Sequence, residues 1–266
     1  MPELPEVETI VRDLSPLVSG RTIARVRTTG KPPVFDRSTL SPRLLAGKTI
    51  ERVWRAGKFL VFDLGADLHL TVHLRMTGNL LFARAARAAE RTRAVVEFTD
   101  GARLVFADVR KFGRMRLLRG DPVQVLGLGV DPLVLDDARL RELVRAKTTR
   151  VKTFLLDQRR LAGVGNIYAC EALYQAGIRP GARVGKLTRA QRGRLLRSLQ
   201  RVLRKAIRHR GSSVDDYRDA EGKEGEFQKQ LLVYGRAGLP CRRCGTPIRR
   251  VVLAQRGTFY CPVCQR

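Results

Sequence analysis

Hydrophobic periodicity changes part-way along the chain, and a single repeating architecture cannot accommodate that change. From about residue 21 to 118 apolar residues recur at strand spacing. In Leu68-His69-Leu70-Thr71-Val72-His73-Leu74 they alternate strictly with polar ones, the pattern of a half-buried antiparallel strand. Val95-Val96-Glu97-Phe98 and Leu104-Val105-Phe106 flank Asp100-Gly101, a dipeptide that tolerates positive φ and so predicts a hairpin. Ahead of this block, Val7, Ile10, Val11 and Leu14 form one helical stripe, with Pro5 expected at the first helical position. Beyond it, residues 119–135 carry Gly120, Pro122, Gly127, Gly129 and Pro132 with little periodicity and read as a linker.

The pattern then becomes helical. Leu140, Leu143 and Val144 follow Asp136 and Asp137 at helical spacing, and further helices are expected at Val151 to Leu156 and at Ile167 to Tyr174, the latter ended by Gly177. The longest runs from Thr188, which with Gln191 makes a capping box, to about His209, apolar on one face and arginine-covered on the other. Residues 219–226, rich in Gly and acids, read as a mobile loop. The expected fold is therefore α+β and multidomain. It comprises a β-sandwich with an N-terminal helix over residues 1–120, a linker over 121–135, a helical domain over 136–234 and a small module over 235–266.

That last module contains four of the five cysteines, as Cys241-x2-Cys244 and Cys261-x2-Cys264. Each close pair turns two thiolates toward one tetrahedral ion, which is the spacing of a structural zinc ribbon. An iron–sulfur cluster or two redox pairs use the same residues, but the hairpin pattern between the pairs suits a ribbon. The ribbon's role would be to hold Arg256 at a turn tip, where a guanidinium can clamp phosphate; otherwise Arg256 is one more solvated arginine. Cys170 lies outside the metal spacing and is expected to be a small buried residue.

Lys and Arg number 52 against 25 acids, a net charge of +27, which points to a polyanionic partner, nucleic acid before a membrane surface. No apolar run approaches the roughly 20 residues that span a bilayer, and the start lacks the order of a secretory signal, so a cytoplasmic protein is expected. The start is Met1-Pro2-Glu3-Leu4-Pro5-Glu6-Val7-Glu8. Removal of Met1 would leave Pro2 with a free secondary amine, able to attack a sugar carbon and form a permanently charged iminium. Glu3 and Glu6 would then be a proton donor and acceptor beside it, as opening a deoxyribose ring and eliminating its phosphates requires. The same octapeptide is a good helix start, and both readings can hold at once. Gly163-Val164-Gly165-Asn166 precedes a helix and reads either as a tight turn or as a cradle where backbone N–H groups and the Asn166 amide meet a phosphate.

Taken together, Pro2-Glu3-Leu4-Pro5-Glu6-Val7-Glu8-Thr9, Ala56-Gly57-Lys58-Phe59-Leu60, Gly163-Val164-Gly165-Asn166-Ile167-Tyr168, Val233-Tyr234-Gly235-Arg236 and the ribbon resemble the Fpg/Nei family of DNA glycosylases, from Pro2 to Cys264. The resemblance implies a bifunctional glycosylase and abasic-site lyase of base-excision repair. Its substrates would be oxidised purines (8-oxoguanine and formamidopyrimidines) in double-stranded DNA. It further implies a helix-two-turn-helix in the helical domain, one structural Zn2+ and a monomer. By position, Pro2 is the Schiff-base nucleophile, Glu3 the acid that protonates the ring oxygen, and Glu6 a support for elimination. Lys58 contacts phosphate near the lesion, while Lys152, Asn166 and Arg256 contact the DNA backbone. Met76, Arg110 and Phe112 fill the space left by a flipped base.

Ser212, Ser213 and Tyr217 depart from the Gly-Thr-like residues and different aromatic expected in the purine-specific branch, which bears on lesion preference. His69 and His73 share a strand face without a third ligand and read as solvated or phosphate-facing. Two rivals remain. An endonuclease VIII-like enzyme would share the proline chemistry but prefer oxidised pyrimidines. A non-catalytic zinc-ribbon nucleic-acid binder would explain charge and cysteines but neither Pro2-Glu3 nor Lys58.

Overall fold

The computed structural model describes residues 1–36, 40–84, 91–214 and 217–266, which fall into two compact units. The first unit comprises Met1–Gly127 and His209–Gln228. It opens with α1 (Leu4–Val18), which starts where Glu3 and Glu6 exchange side-chain-to-backbone hydrogen bonds in a capping box. Pro5 is thus the second helical residue, one place later than expected, and it still costs the helix no hydrogen bond. Val7, Ile10, Val11 and Leu14 are all buried, as their spacing requires.

Among its described residues, eight strands make two antiparallel four-stranded sheets. One has the order β1 (Ile23–Thr28), β6 (Thr92–Phe98), β7 (Arg103–Asp108), β5 (Gly78–Ala83). The other runs β2 (Arg52–Ala56), β3 (Phe59–Asp63), β4 (Leu68–His73), β8 (Arg114–Arg119). The expected hairpin joins β6 to β7, with Gly101 at φ 86°. Val96, Leu104 and Phe106 of the first sheet and Leu60, Phe62, Leu70 and Val72 of the second share one core with the stripe of α1, so the sandwich closes around the helix that carries Glu3.

Strand β4 corrects one expectation. Its polar face is not solvated: Thr71 is buried, His73 is buried, and His69 is largely covered. β4 is an inner strand, and in register beside it Asp63 on β3 gathers the Trp54 Nε1–H (2.7 Å), the Arg52 Nε–H (2.9 Å) and the His69 Nδ1–H (2.7 Å). Alternation correctly predicted the strand. It did not predict that a polar face can be covered when its partners are supplied by neighbouring strands.

Residues 119–135 are more ordered than their Gly and Pro content suggests, with α2 (Pro122–Val125) capped by Asp121. Residues 219–226, expected to be mobile, are organised by the buried Asp219. Its carboxylate accepts from the backbone N–H groups of Glu221 and Lys223 and from Arg210, which also pairs with Asp13 of α1.

The second unit comprises Leu128–Arg208 and Lys229–Arg266. Its helices are α3 (Asp137–Val144, capped by Asp136), α4 (Val151–Leu156), α5 (Asn166–Ala176) and α6 (Arg189–Arg208). Gly177 ends α5 in the left-handed conformation (φ 69°), and Thr188 and Gln191 form the expected capping box before α6. The C-terminal hairpin is β9 (Arg249–Leu253) and β10 (Arg256–Tyr260). Ala254 and Gln255 between them both have positive φ, as a two-residue type I′ turn demands.

Candidate active site

Helix α1 begins at Glu3 and Glu6, two of the residues expected from sequence to carry chemistry, which here form its capping box. Glu6 Oε2 accepts the Glu3 N–H at 2.7 Å, fixing the backbone next to Pro2, and Glu6 Oε1 accepts the Ser212 N–H at 2.8 Å. Pro2, Glu3 and Glu6 are all buried. The Glu6 carboxylate is therefore the joint between the first turn of α1 and the start of the 212–226 segment. Gly211 faces it so closely that a Cβ there would sit 2.8 Å from Glu6 Oε1, which together with φ 79° explains glycine at this point. Asp215 and Asp216 of the same segment lie outside the described residues.

Lys58 is the second residue of the two-residue turn between β2 and β3, behind Gly57 at φ 58°. That turn is tied to α1 by Arg55, whose Nε–H donates to Glu8 at 3.0 Å and whose NH1 donates to the Gly57 carbonyl at 3.2 Å. Arg12 reaches Glu8 from the other side at 2.8 Å, and these two guanidiniums hold the Glu8 carboxyl below its ordinary range despite its partial burial. Neither Arg55 nor Glu8 was singled out from sequence, since only the fold brings residues 8 and 55 together.

Met76, Arg110 and Phe112 sit on two turns that one buried carboxylate joins. Asp108 accepts from the Gly113 N–H (2.7 Å), the Arg110 N–H (3.2 Å) and the Thr77 hydroxyl, while Thr77 Oγ1 accepts the Arg110 N–H (3.1 Å). Gly78 and Gly113 let the turns close: a Cβ would lie 2.4 Å from the Leu74 carbonyl oxygen and 2.3 Å from the Phe106 ring respectively. Held this way, Met76 is 38% exposed and Phe112 49% exposed, with the Arg110 guanidinium 5.0 Å above the Phe112 ring centroid. Apolar side chains that the turns deliver to solvent are not core residues.

His73 supports the same region from inside. Its Nδ1 accepts the Arg75 N–H at 3.0 Å, and its ring packs edge-on against Phe59 at 4.6 Å. Burial, with the Arg75 and Lys58 charges nearby, pulls its pKa down to about 3, so the ring is neutral. It is buried, not solvated.

In the second unit the turn before α5 is braced by Gln158, which accepts the Gly163 N–H (2.9 Å) and donates to the Val164 carbonyl (2.8 Å). Asn166 opens α5 and donates through Nδ2 to the Gly257 carbonyl at 3.0 Å. Lys152 reaches the same carbonyl at 3.1 Å and Thr258 Oγ1 at 2.6 Å, and it is fully buried. Both side chains thus hold the residue following Arg256. Arg256 itself is exposed at the first position of β10, just after the turn rather than at its tip. Glu171 was missed by sequence reasoning. Its buried carboxylate accepts the Leu232, Val233 and Tyr234 N–H groups at 2.9–3.1 Å, fastening the segment that leads into the ribbon to α5. Burial raises its pKa against the pull of those donors.

The four ribbon sulfurs lie within 4.8 Å of one another, with Cys241–Cys264 at 3.9 Å and Cys244–Cys261 at 3.5 Å. Four Zn–S bonds of about 2.3 Å in a tetrahedron place sulfurs about 3.8 Å apart, so the cage fits zinc. The Arg243 and Cys264 N–H groups point at the Cys241 and Cys261 sulfurs, both at 3.4 Å. Cys170 is buried in the cluster beneath, as expected.

A sandwich built on a Pro-Glu helix start, a braced turn between helices and a four-thiolate ribbon together define a zinc-finger DNA-repair glycosylase. The chain belongs to the formamidopyrimidine-DNA glycosylase family. Residues 1–115 match that family's N-terminal domain, residues 128–218 its H2TH domain, and residues 238–266 the zinc finger found in FPG and IleRS. A formamidopyrimidine-DNA glycosylase of Herpetosiphon aurantiacus is 46% identical over the whole of both chains. A Lactococcus lactis Fpg variant solved with Fapy-dG containing DNA is 37% identical with a TM-score of 0.88, covering all of both chains. The Lactococcus lactis Fpg complex with DNA containing an abasic site is 36% identical with a TM-score of 0.87, covering 99% of each.

Proposed function

We propose that this chain excises oxidised purines, 8-oxoguanine and formamidopyrimidines, from duplex DNA and then cleaves the strand at the abasic site. The observation that carries the reading is the Glu3–Glu6 capping box, which ties the Glu3 N–H, in the residue next to Pro2, to the Glu6 carboxylate at 2.7 Å and keeps both carboxyl groups at one helix start. Once Met1 is removed, the Pro2 nitrogen attacks C1′ of the damaged nucleotide. The bond from C1′ to the base breaks, and the base leaves with its electron pair and takes up the proton that the Pro2 nitrogen gives up. Glu3 gives its proton to the ring oxygen as the C1′–O4′ bond opens, leaving an iminium. Loss of a C2′ proton into that electron sink expels the 3′ phosphate, a second elimination expels the 5′ phosphate, and water frees Pro2. Glu6 serves these steps by holding the Glu3 backbone.

Lys58, on a turn that Arg55 locks to α1, takes the phosphate beside the lesion. Arg256 and Asn166 take backbone phosphates, and Lys152 acts with them by fixing the Gly257 carbonyl next to Arg256. Met76, Arg110 and Phe112 enter the duplex to replace the flipped base. Cys241, Cys244, Cys261 and Cys264 hold one zinc ion whose contribution is structural: with all four positions thiolate, it leaves no open site. No helix among the described residues is long and apolar enough to cross a membrane, and we propose a cytoplasmic monomer working on chromosomal DNA.

A panel of single-lesion duplexes tests the substrate. Release of 8-oxoguanine and formamidopyrimidines well ahead of oxidised pyrimidines is expected. The reverse order would make the enzyme endonuclease VIII-like, with Ser212, Ser213 and Tyr217 the first residues to examine.

A further inference from the structure

Helix α6 carries arginines that no step above uses. Its sequence, Arg189 to Arg208, contains no Asp or Glu. Arg194, Arg197, Arg201, Arg204 and Arg208 are all exposed, and at 3.6 residues per turn they fall within a wedge of about 80°. The wedge lies opposite the stripe of Leu195, Leu199, Val202, Leu203 and Ala206 that packs inward against α5. From Arg194 to Arg208 the ladder runs about 21 Å at 1.5 Å per residue, the length of about six base pairs at 3.4 Å each.

Some surface arginines elsewhere are matched, as Arg12 is with Glu8, Arg52 with Asp63 and Arg139 with Glu142. Among the described residues, none of the five ladder arginines has a carboxylate partner. Arg194 and Arg204 instead donate to the Ala176 and Leu133 carbonyls, which fixes them without neutralising them. Asp137 borders the depression of about 550 Å3 at the N-terminal end, which Arg189 and Arg197 also line. Like charges three and four residues apart repel along a helix, and the chemistry that relieves this is a row of anions. Guanidinium groups suit phosphate oxygens, two N–H bonds to each. α6 exposes no large apolar side chain beside the ladder, so the face lacks the apolar edge that an anionic bilayer would take up.

We propose that this face of α6 binds the phosphate backbone of a second segment of duplex DNA while the damaged duplex occupies the catalytic site. The proposal rests on the DNA-glycosylase reading and extends it. A protein holding two segments can pass between them without full release, a route that matters where undamaged DNA vastly outnumbers lesions.

The test uses the full-length protein, saturated with a short duplex bearing an uncleavable abasic-site analogue, to which a differently labelled undamaged duplex is added. Two-colour coincidence or sedimentation then reads the ternary complex. The wild-type protein is expected to capture the second duplex at low salt. Arg197→Glu/Arg201→Glu/Arg208→Glu is expected to weaken capture at least tenfold and to make its log–log salt dependence shallower by about 2.7, at 0.9 for each phosphate no longer neutralised. Binding of the first duplex should change less than twofold. Absence of a ternary complex with wild-type protein, equal capture by the variant, or a preference for anionic vesicles over DNA would each overturn the proposal. Failure to bind the first duplex at all would instead overturn the glycosylase reading, which keeps the two apart.

Discussion

Glu3 and His73 show how single side chains set the chemistry. If Glu3 delivers the proton that opens the sugar ring, Glu3→Gln should slow base removal by about 10²–10⁴-fold, the usual worth of a general acid. Cleavage of a preformed abasic site should fall far less, because its open aldehyde needs no ring protonation. Comparing single-turnover base release with abasic-site cleavage checks this, and equal losses in both would remove Glu3 from that role. His73 makes a prediction about pH. Its folded pKa of about 3 lies below the ordinary value of 6.5, so between those pH values the unfolded chain binds a proton that the folded one refuses. Stability is then fully present above about pH 6.5 and falls as the pH drops toward 3. Going from pH 7 to 5 should cost the first unit about 2 kcal/mol through this group alone, at about 1.36 kcal/mol per pH unit below 6.5. His73→Gln, which keeps an acceptor for the Arg75 N–H, should remove that part of the acid slope in denaturant unfolding.

At the scale of elements, the ribbon is a device for holding one hairpin. Gln265 is buried between the Cys261 N–H, which it accepts at 2.9 Å, and the Ile178 carbonyl, to which it donates at 2.9 Å, while Glu171 fastens the segment leading in. Zinc closes the far end. Cys244→Ala should release the metal, loosen β9 and β10, and weaken DNA binding, while hydrogen exchange of β2 to β8 stays at wild-type levels. Full DNA affinity in protein shown by elemental analysis to be metal-free would sink this account of Arg256. Elements were also where the sequence was most legible. The Val7 to Leu14 stripe, the Asp100-Gly101 hairpin, the Thr188–Gln191 capping box and the cysteine spacing are local signals whose partners lie a few residues away. Asp108, Thr77, Arg55 and Glu171 carry no such signal, because each reaches across 31 to 63 positions and gains its meaning only from the fold. The polar face of β4 was misjudged for the same reason, its covering partner Asp63 belonging to the next strand.

For the whole molecule, a net charge of +27 makes phosphate contact the main source of affinity for undamaged duplex. Log affinity should fall against log salt with a slope of about −0.9 per phosphate neutralised, and a flat titration up to physiological ionic strength would contradict that reading. Charge is a property of the entire chain and was legible from composition, whereas the arrangement of Glu6 as the joint between α1 and Ser212 was not. That joint places Ser212, one of the residues that depart from the family pattern, one hydrogen bond away from α1. The central claim is that the amine of Pro2, freed of Met1, is the nucleophile. Borohydride trapping on an abasic duplex, followed by mass spectrometry of the cross-linked peptide, addresses it directly. The adduct is expected on Pro2 in processed protein, reduced in Pro2→Gly and absent when Met1 is retained; equal trapping with Met1 in place, and the adduct on Lys58, would contradict it.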